Sequence, residues 1–386
     1  AWWSPSRGSR GEVKMLKLAI VFGTRPEAIK MAPVVLQCRQ VSGWETKVIV
    51  TGQHREMLDQ VLDIFQIEPD YDLNIMSHGQ TLSEITERIL RGMDSVFNEW
   101  KPDVVLVHGD TTTAFAAALA SFYWQIPVGH VEAGLRTPSL TNPFPEEANR
   151  RLVDVLTTWY FAPTHNAADN LLLEGVKKES VFVTGNTVID ALLSVVDADH
   201  QFTNPVLRAL DFSSPVVVVT AHRRENWGEP LEEICRALLD ISAGHQCDIV
   251  VAMHRNPRLQ ETMKGLLGED PQIKLIEAPD YREFANLLAR CTLLLTDSGG
   301  LQEEAPALHK PVLVMRSVTE RPEAVRAGTV KLVGTKRKDI VAGVNELLTN
   351  PAVYAQMARA VNPYGDGTAA MRIRRILEEK YGSTGE

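Results

Sequence analysis

Short runs of β-branched and aliphatic residues alternate along the chain with longer segments whose apolar positions recur every three to four residues. Residues 16–23, 46–52, 103–109, 127–133, 160–162 and 181–185 read as strands. Residues 27–41, 55–65, 82–100, 112–123, 147–156 and 166–174 read as helices between them. Near-continuous apolar strands separated by helices predict a parallel sheet covered on both faces. The pattern pauses over 198–215, which is polar and holds Pro205 and Pro215, so a domain connection is expected there or just before it. A second series follows, with strands at 216–221, 249–252, 273–276, 292–295, 311–315 and 330–333. Its main helices are expected at 231–241, 259–267 and 281–290, and the tail 368–381 reads as one more amphipathic helix.

The expected fold class is therefore α/β: two doubly wound Rossmann-like domains facing a central cleft. The first spans 15–190, with the helix 366–382 packing back on it, and the second spans 191–365. A length of 386 residues agrees, since one core rarely serves so long a chain. Residues 1–14 read as a leader or tag remnant, with Met15 as the expected native start.

Charge and cysteine usage narrow the function. The formal charge is −9 and no basic run occurs, which argues against nucleic acid and requires any anion site to be local. No apolar stretch has signal-peptide or membrane-span length, so no membrane partner is expected. Cys38, Cys235, Cys247 and Cys291 are scattered without a CxxC pair, which fits reduced thiols in a cytoplasm.

Chemistry-bearing residues gather just after the expected strands. The run 296–304 (TDSGGLQEE) follows one strand and opens a helix. Gly299 and Gly300 permit close backbone approach beside Ser298, and a helix start attracts phosphate. Glu304, one turn on, can accept both hydroxyls of a ribose. This combination describes a nucleotide-sugar site, while a plain capped glycine turn explains the motif equally well alone. Arg25 and Lys30 follow the first strand and can reach an anion, or serve as solvated charges on a capped helix.

Asp110 follows the 103–107 strand, where an N-cap role is the commoner explanation. Glu132 stands among apolar neighbours, and a carboxylate so placed needs a partner, which favours function. Glu146 enters a helix from a proline-stiffened loop, where the helix dipole alone favours an acid. His222 and His254 end neighbouring strands of the second series, yet Arg223 and Arg255 follow them directly. Adjacent arginines repel a cation, so anion binding is the better reading and no metal is expected. Arg321 offers another anion ligand. No GxGxxG and no GxxxxGK[ST] follows any strand, so neither the dinucleotide fingerprint nor a P-loop is present.

Taken in order, FGTRPEAIKMAP, TGQHREMLDQVL, VHGDTTT, HVEAGLRT, PEEANR, TGNTVIDAL, TAHRREN, TDSGGLQEEAP, KPVLVMR and TERPEAV resemble the non-hydrolysing UDP-N-acetylglucosamine 2-epimerases of bacteria and archaea. The resemblance runs from Leu16 to NPYGDG near the end and implies the glycosyltransferase-B fold. It implies interconversion of UDP-N-acetylglucosamine and UDP-N-acetylmannosamine for cell-surface polysaccharide precursors, without a cofactor. UDP leaves carbon 1 as the carbon 2 proton is removed, giving 2-acetamidoglucal, and then adds back. Asp110, Glu132, Glu146 and His222 match the family's catalytic residues; which carboxylate takes the proton in each direction stays open. Arg25, Lys30, Ser298, Gly299, Gly300, Glu304 and Arg321 match its nucleotide-binding residues, with Phe284 near the uracil. Pro279 stands where the family often has glutamine before that uracil contact. Gln53, His54, Arg223 and His254 match a second UDP-N-acetylglucosamine site through which substrate activates many members. Relatives are commonly homodimers. The nearest alternative is a hydrolysing epimerase releasing UDP and N-acetylmannosamine.

Overall fold

A computed structural model describes residues 15–52, 55–77 and 79–381. Among these residues the strands form two wholly parallel sheets. The first contains β1 (Leu16–Phe22), β2 (Trp44–Val50), β3 (Tyr71–Asp72), β4 (Val104–His108), β5 (Val128–Val131), β6 (Trp159–Ala162) and β7 (Val181–Val183). The second contains β8 (Val216–Thr220), β9 (Asp248–Met253), β10 (Ile273–Glu277), β11 (Leu293–Thr296), β12 (Val312–Val314) and β13 (Val330–Leu332). Their orders are β3-β2-β1-β4-β5-β6-β7 and β10-β9-β8-β11-β12-β13. Chain contacts gather residues up to Ala191 and from Gly367 onward into one unit, and Leu192–Asp366 into another.

The central strands are buried along almost their whole length, because helices cover both faces of each sheet, while β2, β3, β7, β10 and β13 nearer the edges are partly exposed. Ile20, Val21, Leu106 and Phe161 of the first, and Val217, Val218, Leu294 and Leu295 of the second, are fully excluded from solvent. Each order reverses direction once, between β1 and β4 and again between β8 and β11. At such a reversal neighbouring loops diverge to opposite faces and leave a crevice at the carboxyl ends of the strands.

Three local departures from the sequence-based outline have physical causes. The first helix starts at Arg25 rather than 27, because Pro26 presets the helical φ in the first turn. There Glu27 folds back to accept the N–H groups of Gly23 and Thr24 at 3.1 and 2.8 Å. The edge strand β3 is only two residues long, too short to produce a period. The helix Thr187–Val195 was not in the outline; its neighbour Asn186 accepts the Val188 N–H at 3.1 Å.

The tail helix Ala369–Tyr381 belongs to the first unit. Asp190 accepts from the N–H groups of Ala369 and Ala370, and Tyr381 meets Trp159 edge-on at 5.4 Å. All four cysteines are free and buried. No described helix is long and apolar enough to cross a membrane.

Candidate active site

In the first unit the reversal brings together the turns after β1, β4 and β5. Glu27, fully buried, accepts from the Thr111 hydroxyl at 2.7 Å and so ties the β1 turn to the β4 turn. Burial pushes the Glu27 carboxyl up despite these donors. Thr51 and Thr113 meet at 3.0 Å behind the same junction.

Glu132 follows β5 in a left-handed conformation, φ +67°, which costs a non-glycine residue of order 1 kcal/mol or more. Its Oε2 accepts from Lys30 Nζ at 2.5 Å and from Asn186 Nδ2 at 2.8 Å. Glu132 Oε1 lies 3.9 Å from where a Cβ on Gly109 would stand, so the carboxylate borders the turn that carries Asp110.

Asp110 is not the N-cap of the following helix, as the sequence had suggested. Thr111 takes that place, its hydroxyl accepting from the Ala114 N–H. The Asp110 side chain is thereby released to pair with Arg150, while Asn149 donates to its carbonyl at 3.0 Å. Burial pushes the Asp110 carboxyl up, and Arg150 and Lys30 do not cancel the effect. Glu146 opens the helix Glu146–Leu156, the helix that supplies Asn149 and Arg150. It is half-buried, and neither it nor Arg25 has a protein partner among the described residues.

Behind this cluster His130 is fully buried. Its ring nitrogens lie 2.6 Å from Asp154 Oδ1 and 2.8 Å from the Gly109 carbonyl, bracing the Gly109–Asp110 turn from below. Arg136 closes the far side of Asp154 at 2.7 Å. Burial pushes the Asp154 carboxyl up, but His130 and Arg136 together hold it below its ordinary value.

In the second unit the reversal between β8 and β11 is spanned by Asp297, which is fully buried. Its Oδ2 accepts from the backbone N–H groups of His222 and Arg223, both at 2.9 Å, and from Asn226 Nδ2 at 3.0 Å. Its Oδ1 lies 3.0 Å from His222 Nδ1, close enough for an ion pair although off the line of a good hydrogen bond. Burial pushes Asp297 up, but the His222 ring and these N–H groups outweigh it and hold the carboxyl low. The half-exposed His222 ring stacks on His254 with centroids 5.9 Å apart.

Arg223 donates through Nε to the Asp297 carbonyl at 3.0 Å and pairs with Glu320 at 3.1 Å. Its Nη2 lies 3.6 Å from where a Cβ on Gly299 would stand, so the arginine borders the glycine turn. The Ser298 N–H is already bonded to Thr296 Oγ1 at 2.9 Å, so it is not available to a ligand. Glu304 sits one turn along the helix Leu301–Ala307, its N–H bonded to the Gly300 carbonyl at 3.1 Å. Arg321 pairs with Glu303, and Phe284 packs against the sheet from the helix Tyr281–Arg290.

The structure thus gathers Lys30, Asp110 and Glu132 in one cluster, with Arg25 and Glu146 on the helices that serve it. It gathers His222, Arg223, His254, Ser298, Gly299 and Gly300 in another. Arg223 and His254, which the resemblance assigned to a second site, border His222 and Gly299 directly. Gln53 and His54 lie outside the described residues. Sequence reasoning assigned no role to His108, His130, Asp154, Asn186 or Asp297. The available signal was position: His108 ends a strand that is otherwise apolar, and Asp297 directly follows one that is apolar but for Thr296.

Comparison with known proteins sharpens the picture. A family model described as UDP-N-acetylglucosamine 2-epimerase matches residues 36–378. The chain is 54% identical over 372 residues to UDP-N-acetylglucosamine 2-epimerase of Yersinia pestis, covering 94% of this chain and 98% of that one. The structure of UDP-GlcNAc 2-epimerase from Neisseria meningitidis bound to UDP-GlcNAc is similar at TM-score 0.83 and 48% identity, covering 94% and 100% of the two chains. That of the Methanocaldococcus jannaschii enzyme in complex with UDP-GlcNAc and UDP is similar at 0.74 and 36%, again covering 94% and 100%. With two doubly wound units, this site chemistry and these matches over nearly its whole length, the chain belongs to the UDP-N-acetylglucosamine 2-epimerase family of isomerases.

Proposed function

We propose that this chain interconverts UDP-N-acetylglucosamine and UDP-N-acetylmannosamine without hydrolysis, supplying cell-surface polysaccharide precursors in the cytoplasm. The sugar meets the acids of the first unit, while the second unit holds the uridine diphosphate. The observation that carries the reading is the contrast within the first cluster. Glu132 Oε2 meets the Lys30 ammonium at 2.5 Å, an arrangement that suits a carboxylate, whereas burial pushes the Asp110 carboxyl nearby up. Two carboxyl groups whose surroundings favour opposite protonation states form an acid–base pair.

In the forward direction Glu132 takes the carbon 2 proton while the carbon 1–oxygen bond breaks, its electron pair leaving with UDP. The C–H pair becomes the double bond of 2-acetamidoglucal. Asp110 returns a proton to the opposite face of carbon 2 as UDP re-forms the bond at carbon 1. Glu132 then releases its proton to solvent and Asp110 takes one up, which restores both acids and leaves no atom gained or lost. Glu146, without a side-chain partner among the described residues, serves a sugar hydroxyl. His222, oriented through Nδ1 by Asp297, presents Nε2 to the departing diphosphate, where charge develops. Arg25, Gly299, Gly300 and Arg321 support the diphosphate, Glu304 the ribose and Phe284 the uracil. The reading includes a homodimer and activation by a second UDP-N-acetylglucosamine near Arg223 and His254.

Proton NMR in deuterated water tests it. The expected product keeps its UDP linkage and carries deuterium at carbon 2. Free N-acetylmannosamine with released UDP would establish the hydrolysing reaction instead.

A further inference from the structure

His108 ends β4 and is 4% exposed, and neither ring nitrogen has a hydrogen-bond partner among the described residues. A buried polar group left unsatisfied is costly and calls for an explanation. Its Nε2 lies 3.8 Å from Oε2 of Glu132, the same oxygen that Lys30 and Asn186 hold. That separation is longer than a hydrogen bond, but a displacement of about 1 Å closes it. Burial, with Lys30 and His130 adding, pushes the imidazole down to about 3 against the opposing charge of Glu132, so it is neutral near pH 7. A neutral imidazole keeps one nitrogen as an acceptor.

Lys30 and Asn186, which hold Oε2 of Glu132, suit its charged form. An ammonium and an amide NH2 both donate, and neither can accept from a carboxylic acid. Once Glu132 has taken a proton, the new O–H needs an acceptor, and Lys30 loses its anion. We infer that His108 is the positioning residue that receives the hydrogen bond of protonated Glu132, stabilising the acid during the life of the intermediate. The step moves no electrons and transfers no proton to the ring. The proton stays on Glu132, and the O–H simply turns from the sugar toward the unpartnered nitrogen. This inference rests on the proposed role of Glu132 as proton carrier.

The charged and polar groups around Glu132 include Lys30 from the first helix, His108 at the end of β4, Asp110 after it and the neutral Asn186 ahead of Thr187–Val195, with His130 on β5 facing His108. Replacing His108 by phenylalanine keeps a ring in the space and removes no charge. Protonated Glu132 then loses its acceptor, so its affinity for the proton falls. The acid limb of the kcat profile should move to lower pH by about half to one unit, the equivalent of one ordinary hydrogen bond. Turnover should fall roughly 3- to 10-fold, the same hydrogen bond lost from the intermediate. The Kd for UDP, measured by calorimetry, should stay within about twofold, and His108→Gln, which retains an acceptor, should recover part of kcat. If His108→Phe does not fold, His108→Asn, which ends short of Nε2, carries the same test.

A variant with wild-type kcat and an unmoved acid limb overturns the inference. So does equal loss in the phenylalanine and glutamine variants. Glu132→Gln, assayed in parallel, separates two kinds of failure. Wild-type turnover there removes the proton carrier, and with it the proposed mechanism. Its inactivity beside a fully active His108→Phe removes only the role of His108.

Discussion

The two units share one strand order around one reversal, yet they treat a carboxyl at that reversal in opposite ways. Asp110 faces Arg150, with Lys30 adding charge nearby, and burial still prevails, pushing the group up. Asp297 is buried more completely but gathers two backbone N–H groups, an amide and a histidine, and is held low. The difference lies in who donates. Backbone N–H groups at a strand end are fixed in place and lose no side-chain entropy, whereas a long arginine supplies its charge from one side. One scaffold therefore pushes a carboxyl up in the first unit and holds one low in the second. The proposed mechanism assigns proton chemistry to the former and histidine orientation to the latter.

The strongest way to break this comparison is to neutralise the first unit. Glu132→Gln and Asp110→Asn should each lower turnover by about 10³-fold or more, in the range for removing a positioned acid or base. UDP affinity by calorimetry should change less than about threefold, because none of the groups proposed to hold UDP in the second unit is touched. Equal losses in turnover and UDP affinity would show that the division of labour is wrong.

Neutralising the second unit should have a smaller kinetic effect and a distinct stability signature. Asp297→Asn leaves the donors an oxygen but removes the charge that orients His222, and kcat should fall on the order of 10²-fold. Because the folded carboxyl titrates below its ordinary 3.8, its stabilising contribution is present above that value. It is lost as pH falls through the lower folded value. Urea melts should therefore show the wild type ahead of Asp297→Asn by about 1–3 kcal/mol from pH 5 to 7, the gap narrowing below about pH 4. A gap that widens in acid would reverse the assignment.

Both series of strands were legible from apolar runs, because a strand buried on both faces must be apolar throughout. Glu132 was legible for the same reason, as an acid stranded among apolar neighbours. Its left-handed backbone was not, since no local residue pattern encodes it. Asp110 was read first as a helix cap because Asp and Thr cap equally well, and only the fold gives the cap to Thr111. Asp297, Asn186 and His130 act through partners 24 to 75 residues away, such as Asp154, Glu132 and His222. A single sequence carries no record of such long-range pairs. Position after a strand flags a residue; it does not say what that residue will meet.

Glycine sharpens the comparison most finely. Gly134 in the first unit has φ +86°, and a Cβ there would stand 2.2 Å from the Ala167 carbonyl oxygen, so its own chain requires glycine. Gly299 in the second has an ordinary backbone, and a Cβ there would meet only Arg223 and Glu320, at 3.6 and 3.8 Å. Those are normal van der Waals distances, so folding gives no reason for glycine at 299. A diphosphate lying against the turn does give one. Gly299→Ala should therefore melt within about 1 kcal/mol of the wild type, the range for exposed substitutions away from special features. It should also raise the Kd for UDP by roughly tenfold, about 1.4 kcal/mol. Unchanged UDP binding in a folded Gly299→Ala protein would move the diphosphate away from this turn and leave Arg223 paired with Glu320 for structural reasons alone.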